Sequence, residues 1–364
     1  MARPLTALGL MSGTSLDGID AALIRTDGET VADTGPAITV PYEASLRNRL
    51  RGVLGGRGPV AAVARELTVA HARAVEAFLE QAKLPPSRVD VIGFHGHTIL
   101  HRPRAGRTWQ IGDGDLLARL TGIDVIDDFR SSDVAAGGEG APLAPLYHAA
   151  LSRGFEGPLA VLNVGGVANV TWIGARGELV AFDTGPGNAL IDDWVSARAG
   201  RAYDEDGALA RAGRVDQDVL AVLLGDPYFD RPPPKSLDRD DFDLAPLAGL
   251  SPAAGAATLT VFTAAAVARA ERYFPAPVRR WLVTGGGRCN PALMAALDEA
   301  LGGQVAPAEA VGWDGGALEA QAFAYLAVRA LKHLPLTLPA TTGVSRPMTG
   351  GRLHKPPARP PGSA

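Results

Sequence analysis

Gly9-Leu10-Met11-Ser12-Gly13-Thr14-Ser15-Leu16-Asp17-Gly18-Ile19-Asp20 joins two β-rich runs, Leu5–Met11 and Ile19–Thr26, and reads as a glycine-rich hairpin. Its glycines let a ligand approach the backbone closely. Its hydroxyls can donate to phosphate oxygens, and Asp17 and Asp20, three residues apart, can hold Mg²⁺ directly or through water. No lysine follows the glycines, so it is not a Walker A loop. Alone, the stretch is equally compatible with a plain polar turn.

Two further glycine turns give it weight. Asn163-Val164-Gly165-Gly166-Val167-Ala168-Asn169-Val170-Thr171 is a second strand–glycine turn–strand unit. Thr284-Gly285-Gly286-Gly287-Arg288-Cys289-Asn290-Pro291 lies between a strand and a helix, whose N-terminus favours anions. Phe182-Asp183-Thr184-Gly185-Pro186-Gly187-Asn188 places an acid at a strand end before a turn and a helix. Asp183 there is either a turn cap or a general base. Two matched phosphate-type hairpins and a third glycine turn point to the α/β, two-lobe architecture of actin, hexokinase and Hsp70, which is ribonuclease H-like with a central active-site cleft.

Around these turns, the spacing predicts strands over Val89–Phe94, Trp109–Ile111, Ile123–Ile126, Leu159–Asn163, Asn169–Ile173, Leu179–Phe182 and Trp281–Val283. Helices are expected over Tyr42–Leu54, Val60–Ala82, from Asp113, and over Ala189–Ala199, Gln217–Leu224, Thr258–Tyr273, Pro291–Ala300 and Gly315–Leu331. Strands leading into helices twice over imply one lobe over 1–130, completed by 315–354, and a second over 131–314. Arg231–Pro234 and the polar run to Asp243 read as a surface loop. The tail, 355–364, is rich in Pro, Arg and Gly and reads as disordered.

Composition narrows the function. Hydrophobic residues make up 46% of the 364, and apolar runs are broken by Gly, Arg or Asp before the ~18–20 residues of a membrane span. No basic segment leads into an apolar run at the N-terminus, so a soluble, cytoplasmic protein is expected. The single cysteine, Cys289, excludes an intramolecular disulfide and a multi-cysteine metal cluster. A net charge of −4 without a basic block argues against nucleic acid.

Five strings together resemble the anhydro-N-acetylmuramic acid kinase family. They are Met11–Asp20, Phe94-His95-Gly96-His97-Thr98, Trp109-Gln110-Ile111-Gly112-Asp113-Gly114, Asp128-Phe129-Arg130 and Phe182–Asn188. The resemblance runs from about residue 7 to about residue 350. It implies ATP-dependent phosphorylation of 1,6-anhydro-N-acetylmuramic acid in peptidoglycan recycling, with water opening the anhydro bridge, and N-acetylmuramic acid 6-phosphate as product. It implies ATP contacts from Gly13, Thr14, Ser15, Leu16, Asp17, Gly18, Ile19 and Asp20, and Asp183 as the base. Gly165, Gly166, Gly285, Gly286 and Gly287 are the other nucleotide-binding candidates. Gly138-Glu139-Gly140 and Pro234-Lys235-Ser236-Leu237-Asp238-Arg239-Asp240 depart from the family pattern at Glu139, Leu237 and Asp238.

On this reading His97 and Thr98 line the sugar pocket, and Gln110 and Asp113 bond its hydroxyls or acetamido group. Arg130 either meets the lactyl carboxylate as a guanidinium fork or pairs with Asp127 or Asp128. Glu319 either reaches the sugar or is an exposed helix acid. A His-x-His metallohydrolase and an actin-like ATPase switch are the rival classes; a kinase for another amino sugar, and a homodimer, stay open.

Overall fold

The computed structural model describes residues 3–13, 16–238 and 241–357. The chain forms two compact units. The first comprises Met1–Leu151, Ala317–Pro339 and Val344–Ala364, and the second Ser152–Gly316 and Ala340–Gly343.

The first unit is built on strands β1 (Leu5–Ser12), β2 (Gly18–Thr26), β3 (Val31–Pro41), β4 (Val91–Arg102), β5 (Arg107–Ile111) and β6 (Val125–Asp127), joined late in the chain by β12 (Arg352–His354). Their order is β12-β6-β4-β1-β2-β3, with β5 paired to β4. β1, β2 and β3 form an antiparallel meander, while β4 runs parallel to β1, and β6 parallel to β4. The second unit uses β7 (Leu159–Val164), β8 (Val167–Ile173), β9 (Leu179–Pro186), β10 (Arg280–Thr284) and β11 (Val305–Pro307) in the order β11-β10-β7-β8-β9. Again three strands meander antiparallel and two follow in parallel. Repetition of one strand order and polarity makes this a duplicated ribonuclease H-like fold, the actin-like ATPase plan.

Core packing explains the glycines at strand centres. Helix Leu318–Leu331 lies against the first sheet with twelve of its fourteen residues buried. A Cβ on Gly9 would sit 1.7 Å from the Ala320 carbonyl oxygen, and one on Gly93 would sit 2.1 Å from that of Phe323. Only glycine admits a helix this close. On the sheet's other side, Leu8, Leu10, Phe78 and Phe94 share a buried cluster, each worth about 1.5–3 kcal/mol of burial.

Four predicted helices have the expected bounds: Val60–Ala82, Ala189–Ala199, Gln217–Leu224 and Pro291–Ala300. Thr258–Tyr273 needs correction. The α-helix spans Pro252–Ala270, capped by the Ser251 hydroxyl, which accepts the Ala254 N–H at 3.2 Å. Counted through Tyr273, this stretch is long and apolar enough to cross a membrane, contrary to the reading that every apolar run is broken too soon. Its window is 67% buried inside the protein, as the central helix of the second unit's core. The sequence reading also passed over β3, an edge strand carrying Pro36, which an edge tolerates because its unpaired side needs no N–H. The expected disorder from 358 onward lies outside the described residues; 355–357 are described and carry no regular structure.

Candidate active site

In the first unit, the β1–β2 turn is set by its apolar residues. Leu16 has φ of +59° and is buried, as is Ile19, in a cluster with Tyr42, Leu46 and Ile111. Those two side chains therefore anchor the turn, and what they offer a nucleotide is backbone. Thr14 and Ser15 lie outside the described residues. Asp17 Oδ1 accepts the Gly18 N–H at 2.9 Å, and Asp20 Oδ1 accepts the Thr39 hydroxyl at 2.6 Å.

Glu319 opens helix Leu318–Leu331, and the approach at Gly9 and Gly93 carries it toward this turn. The residue is exposed, yet desolvation by surrounding atoms is the largest push raising its pKa. Asp20 and Asp17 add to that push and Arg130 opposes it. Four candidates far apart in sequence thus share one electrostatic neighbourhood.

Arg130 follows Asp128, whose φ of +54° makes the sharp turn out of β6. Three of its contacts are to groups other than the acidic neighbours considered above. Nη1 donates to the Gly140 carbonyl at 2.7 Å, and Nε and Nη2 lie 3.2 and 3.1 Å from His95 Nε2. Asp127 pairs instead with His354, at 2.9 Å. His95 Nδ1 faces the Gly96 carbonyl at 3.0 Å, and a carbonyl only accepts, so the proton sits on Nδ1 and Nε2 receives the guanidinium. Burial, with Arg130 adding, holds His95 well below the usual histidine pKa, in keeping with a neutral ring. Gly140 is in turn fixed by the buried Asp133, whose Oδ1 accepts its N–H at 2.7 Å and whose Oδ2 accepts the Thr337 hydroxyl at 2.5 Å.

His97 is fully buried. Tyr42 donates to Ser12 Oγ at 2.6 Å, and Ser12 Oγ meets His97 Nδ1 at 2.9 Å. Its Nε2 has no hydrogen-bond partner, and burial holds the ring at a pKa of about 4. A buried imidazole nitrogen without a partner is the kind of atom a ligand satisfies. Thr98 and Gln110 face each other across β4 and β5, and Gln110 Nε2 donates to the Thr98 and Thr108 hydroxyls at 3.1 and 2.9 Å. Asp113 caps helix Gly114–Thr121 by accepting the Leu116 N–H at 2.9 Å. Among the described residues, no group of three or more His, Cys, Asp or Glu could hold a metal ion.

In the second unit, Gly165, Gly166 and Gly285 follow the ends of β7 and β10, and Asp183 lies across the sheet on β9, paired with Asn169 on β8. The Gly165 carbonyl accepts the Asn188 N–H at 2.8 Å, and the Gly166 carbonyl accepts that of Gly187 at 2.9 Å, tying the turn to the Asp-Thr-Gly-Pro-Gly-Asn string. Gly285, at φ +74°, packs where a Cβ would meet the Asn163 side chain and the Val164 carbonyl. Gly286 and Gly287 continue into the short 3₁₀ turn Gly286–Cys289. Arg288 braces it by donating to the Gly285 carbonyl and to Glu309, each at 2.8 Å.

Asp183 is 7% exposed. Its Oδ2 accepts the Leu237 N–H at 2.9 Å, its N–H donates to the Lys235 carbonyl at 3.0 Å, and its carbonyl accepts the Tyr228 hydroxyl. The expected surface loop is therefore pinned against the candidate base, with Lys235 buried. Sequence reading quoted Pro234-Lys235-Ser236 but gave Lys235 no role, and it did not single out Tyr228, Tyr42 or Ser12.

The family model described as anhydro-N-acetylmuramic acid kinase matches residues 5–356. A relative of that name from Paramagnetospirillum magneticum is 61% identical, covering 97% of this chain and 100% of the relative. Another from Rhodospirillum rubrum is 60% identical, covering 95% and 93%. A third, from Acidiphilium cryptum, is 57% identical over 96% of this chain and 98% of its own.

Proposed function

Because this chain belongs to the anhydro-N-acetylmuramic acid kinase family, we propose that its residues run phosphoryl transfer coupled to opening of an anhydro bridge. The protein is a kinase of cell-wall recycling, with an amino sugar and ATP as substrates. The acceptor is 1,6-anhydro-N-acetylmuramic acid and the product N-acetylmuramic acid 6-phosphate. Need for ATP places the reaction in the cytoplasm. A partner-binding ATPase switch is not favoured, since the match covers nearly the whole chain.

In this reading Asp183 takes a proton from water, and the oxygen of that water bonds to the anomeric carbon. The bond from that carbon to the bridge oxygen breaks. The bridge oxygen, still attached to the sixth carbon, takes the γ-phosphoryl group as ADP leaves. Phosphoryl transfer depends mainly on positioning and charge neutralisation, so one oriented carboxylate is the acid–base group this chemistry needs. The observation that carries the reading is the Asp183 carboxylate, buried and held at Oδ2 by a backbone N–H.

The other assigned residues lie mainly in the first unit. Turn 13–20 takes the ATP phosphates. Its two carboxylates act together on Glu319, and such a pair fits Mg²⁺, which usually takes one or two carboxylates with phosphate oxygens and water. Mg²⁺ held by Asp17 and Asp20 would neutralise phosphate charge. Arg130, steadied by His95 and Gly140, takes the lactyl carboxylate. His97 Nε2, Thr98, Gln110, Asp113 and Glu319 serve the sugar, and Gly165, Gly166 and Gly285–Gly287 the nucleotide. An ADP-release assay over a panel of anhydro and reducing amino sugars tests the assignment. Turnover confined to the anhydro muramic sugar is expected, and equal turnover without any sugar would reject it.

A further inference from the structure

Three hydrogen bonds close a ring around the candidate base. The Asp183 N–H donates to the Lys235 carbonyl at 3.0 Å, Lys235 Nζ donates to the Tyr228 carbonyl at 3.1 Å, and the Tyr228 hydroxyl donates to the Asp183 carbonyl. Each residue gives one donor to the next residue's backbone and takes one from the other neighbour. The three come from β9, from the 3₁₀ turn Pro227–Asp230 and from the loop after it. Asp183 lies 45 residues before Tyr228, too far for local structure to impose its place in the arrangement.

Lys235 is 2% exposed, and its ammonium sits among the rings of Tyr228, Tyr273 and Phe182, at 4.4, 5.0 and 5.7 Å from their centroids. A second carbonyl, Phe229's, lies 3.4 Å away. Burial lowers the lysine pKa to about 8, with Arg272 and Arg231 adding and Asp230 and Asp183 opposing, so the group stays charged at neutral pH. Burying a cation is costly, and an apolar side chain of similar length would fill three aromatic faces at less cost. What the cation adds is direction, through bonds to two particular carbonyls. Two residues beyond Lys235, the Leu237 N–H holds Asp183 Oδ2 at 2.9 Å.

We propose that Lys235 and Tyr228 are positioning residues of the reaction: the ring they close fixes the Asp183 backbone and the 235–237 loop, and so the direction in which the carboxylate is presented. This rests on Asp183 being the base.

The test compares Lys235→Met, Tyr228→Phe and Asp183→Asn in the full chain, measuring kcat, KM for both substrates and melting temperature. Misplacing a reacting group by about 1 Å costs on the order of 10²-fold. We expect kcat to fall about 10- to 100-fold in Lys235→Met and Tyr228→Phe, with both KM values within about twofold of wild type. A purely structural role would lower the melting temperature and leave kcat per folded molecule unchanged; that result overturns the proposal. Should Lys235→Met not fold, Tyr228→Phe, which keeps the aromatic side chain and loses only the hydroxyl, decides alone. Lys235→Ala adds a chemical check: propylammonium should restore part of kcat, and no recovery counts against the directional role. If Asp183→Asn is inactive while the other two keep wild-type kcat, only the present inference falls. If Asp183→Asn stays active, the base assignment itself falls.

Discussion

The Leu237 N–H donates to Asp183 Oδ2 at 2.9 Å, so the loop after Lys235 holds the candidate base through a backbone atom that no side-chain replacement alters. Leucine at 237 leaves that contact in place. Removing the charge at 183 is a different matter. Asp183→Asn keeps the shape and loses the proton acceptor. Loss of a general base typically costs about 10²–10⁴-fold. Turnover should fall by at least ~10² while ATP-analogue affinity by calorimetry stays within about twofold, and a variant with over a tenth of wild-type activity would remove Asp183 from the role.

Turn 13–20 gives a second expectation. Gly13→Val places a branched side chain where phosphate must come close to the backbone, and Asp17→Ala deletes one carboxylate of the proposed Mg²⁺ pair. A hydrogen bond to a charged group contributes about 1.5–3 kcal/mol, so each variant should bind an ATP analogue roughly tenfold more weakly or worse. Calorimetry at fixed Mg²⁺ measures this. Unchanged affinity in both variants would take the phosphates elsewhere.

Regular packing was legible in the sequence, and long-range hydrogen bonding was not. Helix Val60–Ala82 announces itself through Val63, Leu67, Ala70, Val75 and Phe78 on one face, and all of these but the half-buried Ala70 are buried. The start of helix Pro252–Ala270 was hidden because alanine and glycine give no periodic contrast, although Ser251-Pro252 is a cap signal. The glycine turns and Asp183 could be picked out because their residue types carry their chemistry. The ring through Tyr228 and Lys235 could not be, since it depends on strand, turn and loop meeting across 52 positions, from 183 to 235. Likewise the sequence placed Arg130 beside two acids, while the fold turns it onto a neutral imidazole.

Buried imidazoles should make the protein sensitive to acid. His71 and His97 are both 0% exposed, and burial is the main cause that lowers each to about 4. Their unfolded value is about 6.5. The unfolded chain therefore binds more protons between pH 6.5 and 4, and stability falls as pH falls through that window. At pH 5 each ring should cost up to about 2 kcal/mol relative to pH 7. Urea unfolding at several pH values should show this slope, and His71→Gln should flatten it. Stability that does not change from pH 7 to 5 would contradict neutral buried rings.

Isotope placement decides the coupled mechanism. If water opens the bridge while the bridge oxygen accepts the phosphoryl group, turnover in ¹⁸O-labelled water puts the label on the anomeric carbon. None should enter the oxygen joining the sixth carbon to phosphorus. The anomeric oxygen of a reducing sugar exchanges slowly with water, so the reaction must be quenched early and the reducing sugar carried alongside as a control for exchange. An ordinary hydroxyl kinase would phosphorylate the opened sugar and need no water in its chemical step, leaving Asp183 to accept a proton from the sugar hydroxyl. It would then turn over the reducing sugar at least as fast as the anhydro form. Asp183→Asn separates the readings further. Under the coupled mechanism it should lose bridge opening and phosphorylation together, because one water attack frees the oxygen that takes the phosphate. Label in the ester oxygen, or equal rates on the two sugars, would overturn the coupling and leave the kinase assignment standing.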